Sequence, residues 1–172
     1  DYCYDKRLYD RLIYDSAENV QLHLTADLGY QRKLLRFVEN HDEPRAAAAF
    51  SPEKSRAAAV AIATLPGAKL FHQGQFEGRR IKLPVQLRRR PEEAVDEDLQ
   101  AFYKGLLKVI RASAFKEGEW SLCERSGWPD NTSCRNLVAW CWRKGMGKFV
   151  VVINLSHTAS QGRIQLPWTD LK

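Results

Sequence analysis

The sequence predicts an α/β fold with parallel strands, followed by a small all-β unit. Two short, mostly apolar runs, residues 34–39 and 68–73, end in polar or glycine residues, as do strands buried on both faces of a parallel sheet. Helical patterns precede, separate and follow these runs, and such alternation is typical of α/β proteins. From residue 119 onward the pattern indicates strands only.

Four helices are predicted in the α/β part. Residues 6–13 and 19–28 carry apolar side chains at helical spacing, and Gly29 is expected to end the second helix. A third helix begins after Ser51, whose hydroxyl can cap it, and stops before a Pro-Gly pair. The fourth covers residues 96–115, where large apolar residues recur at intervals of three and four.

Four strand-like segments make up the last part of the chain: residues 120–124, 137–143, 148–155 and 162–166. Gly145, Met146 and Gly147 stand between two of them and predict a β-hairpin. The change of character lies near residues 116–118. We therefore expect two domains, residues 1–117 and residues 118–172.

The composition is that of a globular protein and limits the expected partners. The 172 residues carry a formal net charge of +6, spread along the chain apart from a cluster at Arg88, Arg89 and Arg90. There is no zinc-finger spacing, RNP-type aromatic motif or basic heptad helix, so we expect a basic surface and no nucleic-acid partner. No apolar stretch reaches about 18 residues, so we expect no membrane partner.

Cysteine usage bears on the cellular compartment. Cys3, Cys123, Cys134 and Cys141 include no CxxC pair, which argues against a zinc site. Buried free thiols are expected, with a Cys123–Cys134 disulfide as the alternative. Free thiols favour a reducing, cytoplasmic location. The chain opens on Asp1 rather than Met, so any targeting signal is expected to lie upstream and the location stays open.

The densest polar cluster, residues 39–45, follows the first apolar strand. Active sites of parallel α/β folds lie at the carboxyl ends of strands. A carboxylate such as Asp42 can accept hydrogen bonds from sugar hydroxyls and stabilise an oxocarbenium-like transition state, and His41 can donate to another hydroxyl. On residue types alone, a solvated loop with a helix-capping Asp is the other interpretation.

The segment from Phe37 to Asp42 resembles the FxxNHD signature of the α-amylase family of glycoside hydrolases, which lies at the end of the seventh barrel strand. Residues 1–12 resemble the sixth strand and its helix, and residues 65–76 resemble the approach to the eighth strand and its end. The part after Gly118 resembles the family's C-terminal sandwich domain. The resemblance implies a partial (β/α)8 TIM barrel, about strands 6–8, followed by an incomplete all-β sandwich-like C-terminal domain.

The resemblance also implies roles for individual residues. Asp42 matches the family's third carboxylate, the transition-state stabiliser, and is the expected catalytic residue. His41 matches the histidine that binds sugar hydroxyls at the cleavage point, and Asn40 is expected to shape the turn that presents both. Gln75 and Phe76 follow the other strand end and are expected to face the pocket. There Gln75 would hydrogen-bond to sugar and Phe76 would stack on a sugar ring. The alternative is a loop Gln and a packing Phe.

Other chemically capable side chains are interpreted as structural. Glu39 and Glu43 do not match the catalytic position and are expected to be structural or surface residues. His72 lies inside the strand pattern and is predicted to be a core histidine. Trp140 and Trp142 alternate along one strand and point to one face, for which core packing is favoured over a sugar-stacking platform.

A retaining glycosidase also needs a nucleophile and an acid/base carboxylate. In the family both lie on earlier strands, and neither the nucleophile motif GxRxD nor an acid is found in this sequence. We therefore expect the chain alone to be inactive, and an intact parent to act on α-glucosidic bonds of an α-glucan or oligosaccharide with retention. A non-catalytic sugar-binding or scaffolding protein of the same fold is the alternative, against which the presence of Asp42 and His41 argues.

The resemblance implies no cofactor and no metal in this chain. Many family members bind structural calcium between the third strand and its helix, and no matching segment is found. The linkage, the choice between hydrolysis and transfer, and the oligomeric state stay open. A three-strand slice of a barrel exposes a sheet edge, so we expect the isolated chain to be poorly stable or to associate.

Overall fold

A computed structural model describes residues 1–87 and 89–169. Three short parallel strands form its first sheet in chain order: β1 (Cys3–Tyr4), β2 (Leu34–Arg36) and β3 (Ala68–Lys69). Because all three run the same way, the loops that follow them meet at one edge of the sheet. The predicted α/β arrangement with parallel strands is confirmed. Arg88 of the basic cluster lies outside the described residues, as do residues 170–172 of the expected second domain.

The helices of the described part are α1 (Lys6–Tyr14), α2 (Ala17–His23), α3 (Leu28–Gln31), α4 (Ala46–Ala49), α5 (Pro52–Thr64), α6 (Glu97–Val109) and α7 (Ala114–Glu117). The single helix predicted over residues 19–28 is wrong. It divides into α2 and α3 because the Asp27 carboxylate caps α3, accepting from the Tyr30 N–H at 2.9 Å, and Gly29 lies inside α3. The helix predicted over residues 96–115 likewise divides into α6 and α7. No described helix is long and apolar enough to cross a membrane.

Helix α5 connects β2 to β3. The Ser51 hydroxyl accepts a hydrogen bond from the Lys54 N–H at 3.4 Å, and Pro52 occupies the first turn, as predicted. Gly67 follows the helix with φ 103°, where an added Cβ would lie 2.3 Å from the backbone oxygen of Leu34. Only glycine permits this close approach without strain, and the approach brings the chain back beside β2.

A buried polar network ties β2 to the start of α1. The fully buried Arg36 guanidinium donates to the Asp5 carboxylate, to Gln31 Oε1 at 3.0 Å and to the carbonyl of Pro66 at 3.1 Å. Burial opposes the charge of Asp5, but the hydrogen bond with His23 and the charge of Arg36 hold the pKa of Asp5 below its ordinary value. The network fixes the strand from which the polar loop emerges.

The described residues after Gly118 form two antiparallel sheets from β4 (Glu119–Leu122), β5 (Glu124–Ser126), β6 (Leu137–Lys144), β7 (Gly147–Asn154) and β8 (Arg163–Gln165). One sheet has the order β4-β6-β7, and β5 pairs with β8. The predicted hairpin is confirmed between β6 and β7, with Gly145 at φ 57°. The single strand predicted over residues 120–124 is wrong, because the chain passes from one sheet to the other at Cys123.

Trp140 and Trp142 are buried in a core that β6 shares with the helices. The Trp142 indole N–H donates to the carbonyl of Thr64 at 2.6 Å, which fixes β6 against the end of α5. The interpretation of both tryptophans as core residues is confirmed. Trp140 is 0% and Trp142 4% exposed, so the packing interpretation is favoured over a stacking platform.

All four cysteines are free, so the alternative of a Cys123–Cys134 disulfide is wrong. Cys123, Cys134 and Cys141 are buried, as expected, and burial raises the pKa of Cys123 to about 12. Cys3 is exposed instead, because it lies in β1 at an edge of the parallel sheet.

Candidate active site

The loop after β2 carries the polar cluster at the carboxyl edge of the parallel sheet. Its first residue, Phe37, is buried and stacks on Tyr9 of α1 with ring centroids 5.3 Å apart. Phe37 also meets Tyr4 edge to face at 5.5 Å. This aromatic anchor holds the start of the loop against β1 and α1, so the polar residues that follow emerge at a fixed place.

Asn40 shapes the turn that follows. Its Oδ1 accepts hydrogen bonds from the N–H groups of Asp42 at 2.8 Å and Glu43 at 3.0 Å. Bonds of this type replace a backbone turn and explain why Asn suits such positions. The geometry agrees with the turn-shaping role expected of Asn40, which also lines the cavity described below.

His41 and Asp42 project from this turn. Their side chains are 52% and 73% exposed, and His41 Nε2 lies 3.3 Å from Asp42 Oδ2. The backbone carbonyl of Asp42 accepts a hydrogen bond from the Lys82 ammonium, which ties the turn to the loop after β3. The structure thus brings these two expected site residues together, with an imidazole and a carboxylate both accessible to a ligand.

Glu39, directly before the turn, is a buried structural carboxylate, as expected. It is 1% exposed. Its Oε2 accepts from the Ala46 N–H at 2.7 Å, and Oε1 lies 2.9 Å from Nη2 of Arg45 in an ionic contact without hydrogen-bond alignment. Burial raises the pKa of Glu39 to about 7, although the Ala46 N–H and the Arg45 charge act in the opposite direction.

Arg45 joins the loop after β2 to the loop after β3. Its guanidinium contacts His72 Nδ1 at 2.8 Å and donates to the carbonyl of Gln73 at 2.8 Å. Burial, together with the charges of Arg45 and His41, lowers the pKa of His72, which favours a neutral ring whose Nδ1 can accept. The prediction of a core histidine is wrong. His72 is partly exposed and lines the cavity, because β3 already ends at Lys69.

A cavity of about 210 Å³ lies between the two loops. Its described polar lining includes Asn40, His41, Arg45, His72, Arg79, Lys82, Arg90 and Glu93. Among these lining residues Glu93 alone is a carboxylate, and its Oε2 accepts from the N–H groups of Arg80 at 2.8 Å and Ile81 at 3.3 Å. Sequence reasoning missed the arginines and the lysine of this lining. The available signal was that they follow the ends of neighbouring parallel strands.

Gln75 and Phe76 do not face the cavity, contrary to expectation. Gln75 is 2% exposed, donates to the Tyr103 hydroxyl at 2.8 Å and accepts from the His72 N–H at 3.1 Å. Phe76 packs on Tyr103, with ring centroids 4.8 Å apart. The turn at Gly74, with φ 88°, directs both side chains back toward α6. The alternative of packing residues is the one that the structure supports.

The remaining carboxylate of the loop, Glu43, turns toward α1. Its Oε1 lies 3.2 Å from the Lys6 ammonium, so Glu43 has a structural contact, as expected. Within the described residues, no group of His, Cys, Asp and Glu side chains is suited to hold a metal ion.

Known proteins are similar to this chain in sequence. The α-amylase MalA of Haloarcula japonica is 37% identical over 86 residues, which are 47% of this chain and 12% of that protein. The chain therefore corresponds to a small part of that relative's length. No protein-family model matches the chain.

Solved structures are similar in fold. A maltogenic α-amylase, AmyB from Thermotoga neapolitana, superimposes with a TM-score of 0.73 at 23% identity, over 90% of this chain and 38% of that one. A cyclic α-maltosyl-(1→6)-maltose hydrolase from Arthrobacter globiformis, in complex with maltose, gives a TM-score of 0.61 at 15% identity, over 88% of this chain and 36% of that one. At these identities the likeness establishes the fold alone.

Proposed function

Since the chain belongs to the α-amylase family of glycoside hydrolases, we propose that it is part of a retaining α-glycosidase or transglycosylase that acts on α-glucosidic bonds. In this proposal residues 1–117 supply about strands 6–8 of a (β/α)8 barrel, and residues 118–172 belong to a β-sandwich C-terminal domain. The observation that carries the proposal is the pairing of His41 and Asp42, 3.3 Å apart, on a turn at the carboxyl edge of the parallel sheet.

Asp42 is proposed as the transition-state stabiliser. An oxocarbenium-like transition state develops positive charge, and a fixed carboxylate lowers its free energy by electrostatic attraction. The two backbone hydrogen bonds to Asn40 Oδ1 hold the backbone of the turn, so the point from which the Asp42 side chain projects is set before substrate binds. His41, whose ring is half-exposed beside it, can donate to a sugar hydroxyl.

The chain alone is proposed to be inactive. Retention requires two further carboxylates about 5–5.5 Å apart, as nucleophile and acid/base. The described carboxylates near the turn are engaged otherwise: Glu39 is buried against Arg45, Glu43 faces Lys6, and Glu93 accepts from two backbone N–H groups. The nucleophile and the acid must then come from outside this segment.

The proposed substrate is an α-glucan or a maltooligosaccharide. The relatives are named as amylases, and one of the similar structures holds maltose. The cavity beside His41 is open to solvent at the strand ends, where such a chain of sugars can enter.

The experiment is an assay of the native polypeptide that contains this chain, with maltooligosaccharides as substrate and ¹H NMR of the first-formed anomer. We expect hydrolysis or transfer with retention, and no turnover by the 172-residue chain assayed in parallel. Inversion would refute the proposed mechanism. Binding of maltotriose by the native polypeptide without any turnover would instead support a non-catalytic sugar-binding protein of the same fold.

A further inference from the structure

The cavity between the two loops is strongly basic. Its described lining holds one carboxylate, that of Glu93, against four permanent cations: Arg45, Arg79, Lys82 and Arg90. A neutral glucan presents only hydroxyls and carries no charge to offset this excess. Concave sites lined by one sign of charge concentrate ligands of the opposite sign.

Three of the four cations have no carboxylate partner among the described residues. Arg45 is paired with the buried glutamate described above. Arg79 donates to the backbone carbonyl of Glu93, not to its carboxylate, and Lys82 donates to the backbone carbonyl of Asp42. These contacts position the side chains without neutralising them.

The same side chains keep unused donors. Arg79 Nε is buried without an acceptor in the described part of the chain, which costs free energy until an acceptor is supplied. The Lys82 ammonium has further N–H bonds besides the one to Asp42. Guanidinium and ammonium groups placed together match the several acceptor oxygens of a phosphate ester better than the single oxygen of a sugar hydroxyl.

We propose that this cavity binds a phosphate ester carried by a glucose unit, so that the preferred substrate of the site is a phosphorylated maltooligosaccharide. The proposal rests on the proposed function, because that function supplies the sugar part of the ligand. His41, which lines the cavity, and Asp42 beside it contact sugar hydroxyls. Arg79, Lys82 and Arg90, from the loop after β3, contact the phosphate.

The test compares kcat/KM of the native polypeptide that contains this chain for maltotriose and for maltotriose carrying one phosphate. We expect a preference of at least about tenfold for the phosphorylated sugar at low salt, and a smaller preference as salt rises. Arg90→Gln should reduce this preference about five- to tenfold, because it removes a charge-assisted contact. Arg89→Gln is the matched control, since it removes the same charge from an exposed neighbour outside the described cavity lining.

The outcomes separate this proposal from the proposed function. Hydrolysis of both sugars with equal kcat/KM overturns the proposal of a phosphate site but agrees with the proposed glucan activity. An equal loss of preference in Arg89→Gln and Arg90→Gln also overturns it, because net charge alone would then explain the preference. Hydrolysis of neither sugar contradicts the proposed function, and this proposal with it.

Discussion

Replacement of Glu39 by glutamine should change how the stability of the chain depends on pH. Glu39 lies buried directly before the Asn40 turn, where Oε2 accepts from the Ala46 N–H at 2.7 Å and Oε1 faces Arg45 at 2.9 Å. Glutamine has nearly the same shape and keeps an oxygen for the Ala46 N–H, but it cannot ionise. The Glu39→Gln variant therefore lacks one titrating group while its packing is little altered.

The magnitude follows from the pKa of Glu39, which burial raises from 4.5 to about 7. Between these pH values the native chain retains a proton that the unfolded chain has released, so the free energy of unfolding falls by about 1.4 kcal/mol per pH unit. The contribution of protonated Glu39 is complete below pH 4.5 and is lost as the pH rises through about 7. Over the whole window the loss is about 3 kcal/mol.

Urea unfolding followed by tryptophan fluorescence, at pH values from about 5 to about 8, measures this loss. Across that range the free energy of unfolding of the unaltered chain should fall by about 2–3 kcal/mol more than that of Glu39→Gln. The variant also leaves Arg45 without its charged partner, which shifts the variant's free energy of unfolding at every pH. The comparison is therefore between the slopes of the free energy of unfolding against pH. Glu92→Gln, at an exposed glutamate, should keep the slope of the unaltered chain. Parallel curves for the unaltered chain and Glu39→Gln would refute the reasoning.

Three further substitutions test the contacts that hold the fold. Trp142→Phe removes the indole N–H that donates to the carbonyl of Thr64, and should lower the free energy of unfolding by about 1–3 kcal/mol; an unchanged urea midpoint would show that this bond contributes nothing. Gly67→Ala places a Cβ 2.3 Å from a backbone oxygen of β2 at φ 103°, and should cost at least about 2 kcal/mol; a Tm equal to that of the unaltered chain would contradict this. Gln75→Leu leaves the buried Tyr103 hydroxyl without its partner and should lower the Tm by an amount equivalent to about 1–3 kcal/mol; a retained Tm, with glucan hydrolysis lost when the native polypeptide that contains this chain carries the substitution, would instead assign Gln75 to sugar binding.

Features set by residues close in sequence could be predicted. The Ser51 cap of α5 and the Gly145 turn depend on the chemistry of adjacent positions. The Asn40 turn is of the same kind, since its Oδ1 bonds to backbone groups two and three residues away. The specific motif that ends at Asp42 therefore located the exposed pair at the strand end, and the structure brings that pair together.

Features set by residues distant in sequence could not be predicted. Gln75 donates to the hydroxyl of Tyr103, which lies 28 residues further along the chain, and Arg45 contacts His72, which lies 27 residues further along. Nothing in the spacing indicates which side chain at a strand end turns to the cavity and which turns to a helix. The Gly74 turn determines this orientation for Gln75 and Phe76, because its positive φ directs the residues that follow it inward. The looser matches of the family resemblance were for this reason less informative than the motif itself.

Turnover of maltotriose by the Asp42→Asn variant of the native polypeptide that contains this chain tests the proposed role of Asp42 most directly. We expect kcat to fall at least about hundredfold, because the charge that stabilises the transition state is removed. The Tm should stay unchanged, since the Asp42 side chain is 73% exposed. Glu43→Gln, which removes the same charge from the next position, where the side chain turns to Lys6, should retain most of the activity. A kcat of Asp42→Asn near that of the unaltered protein would contradict the assignment of Asp42 as the catalytic carboxylate of this segment.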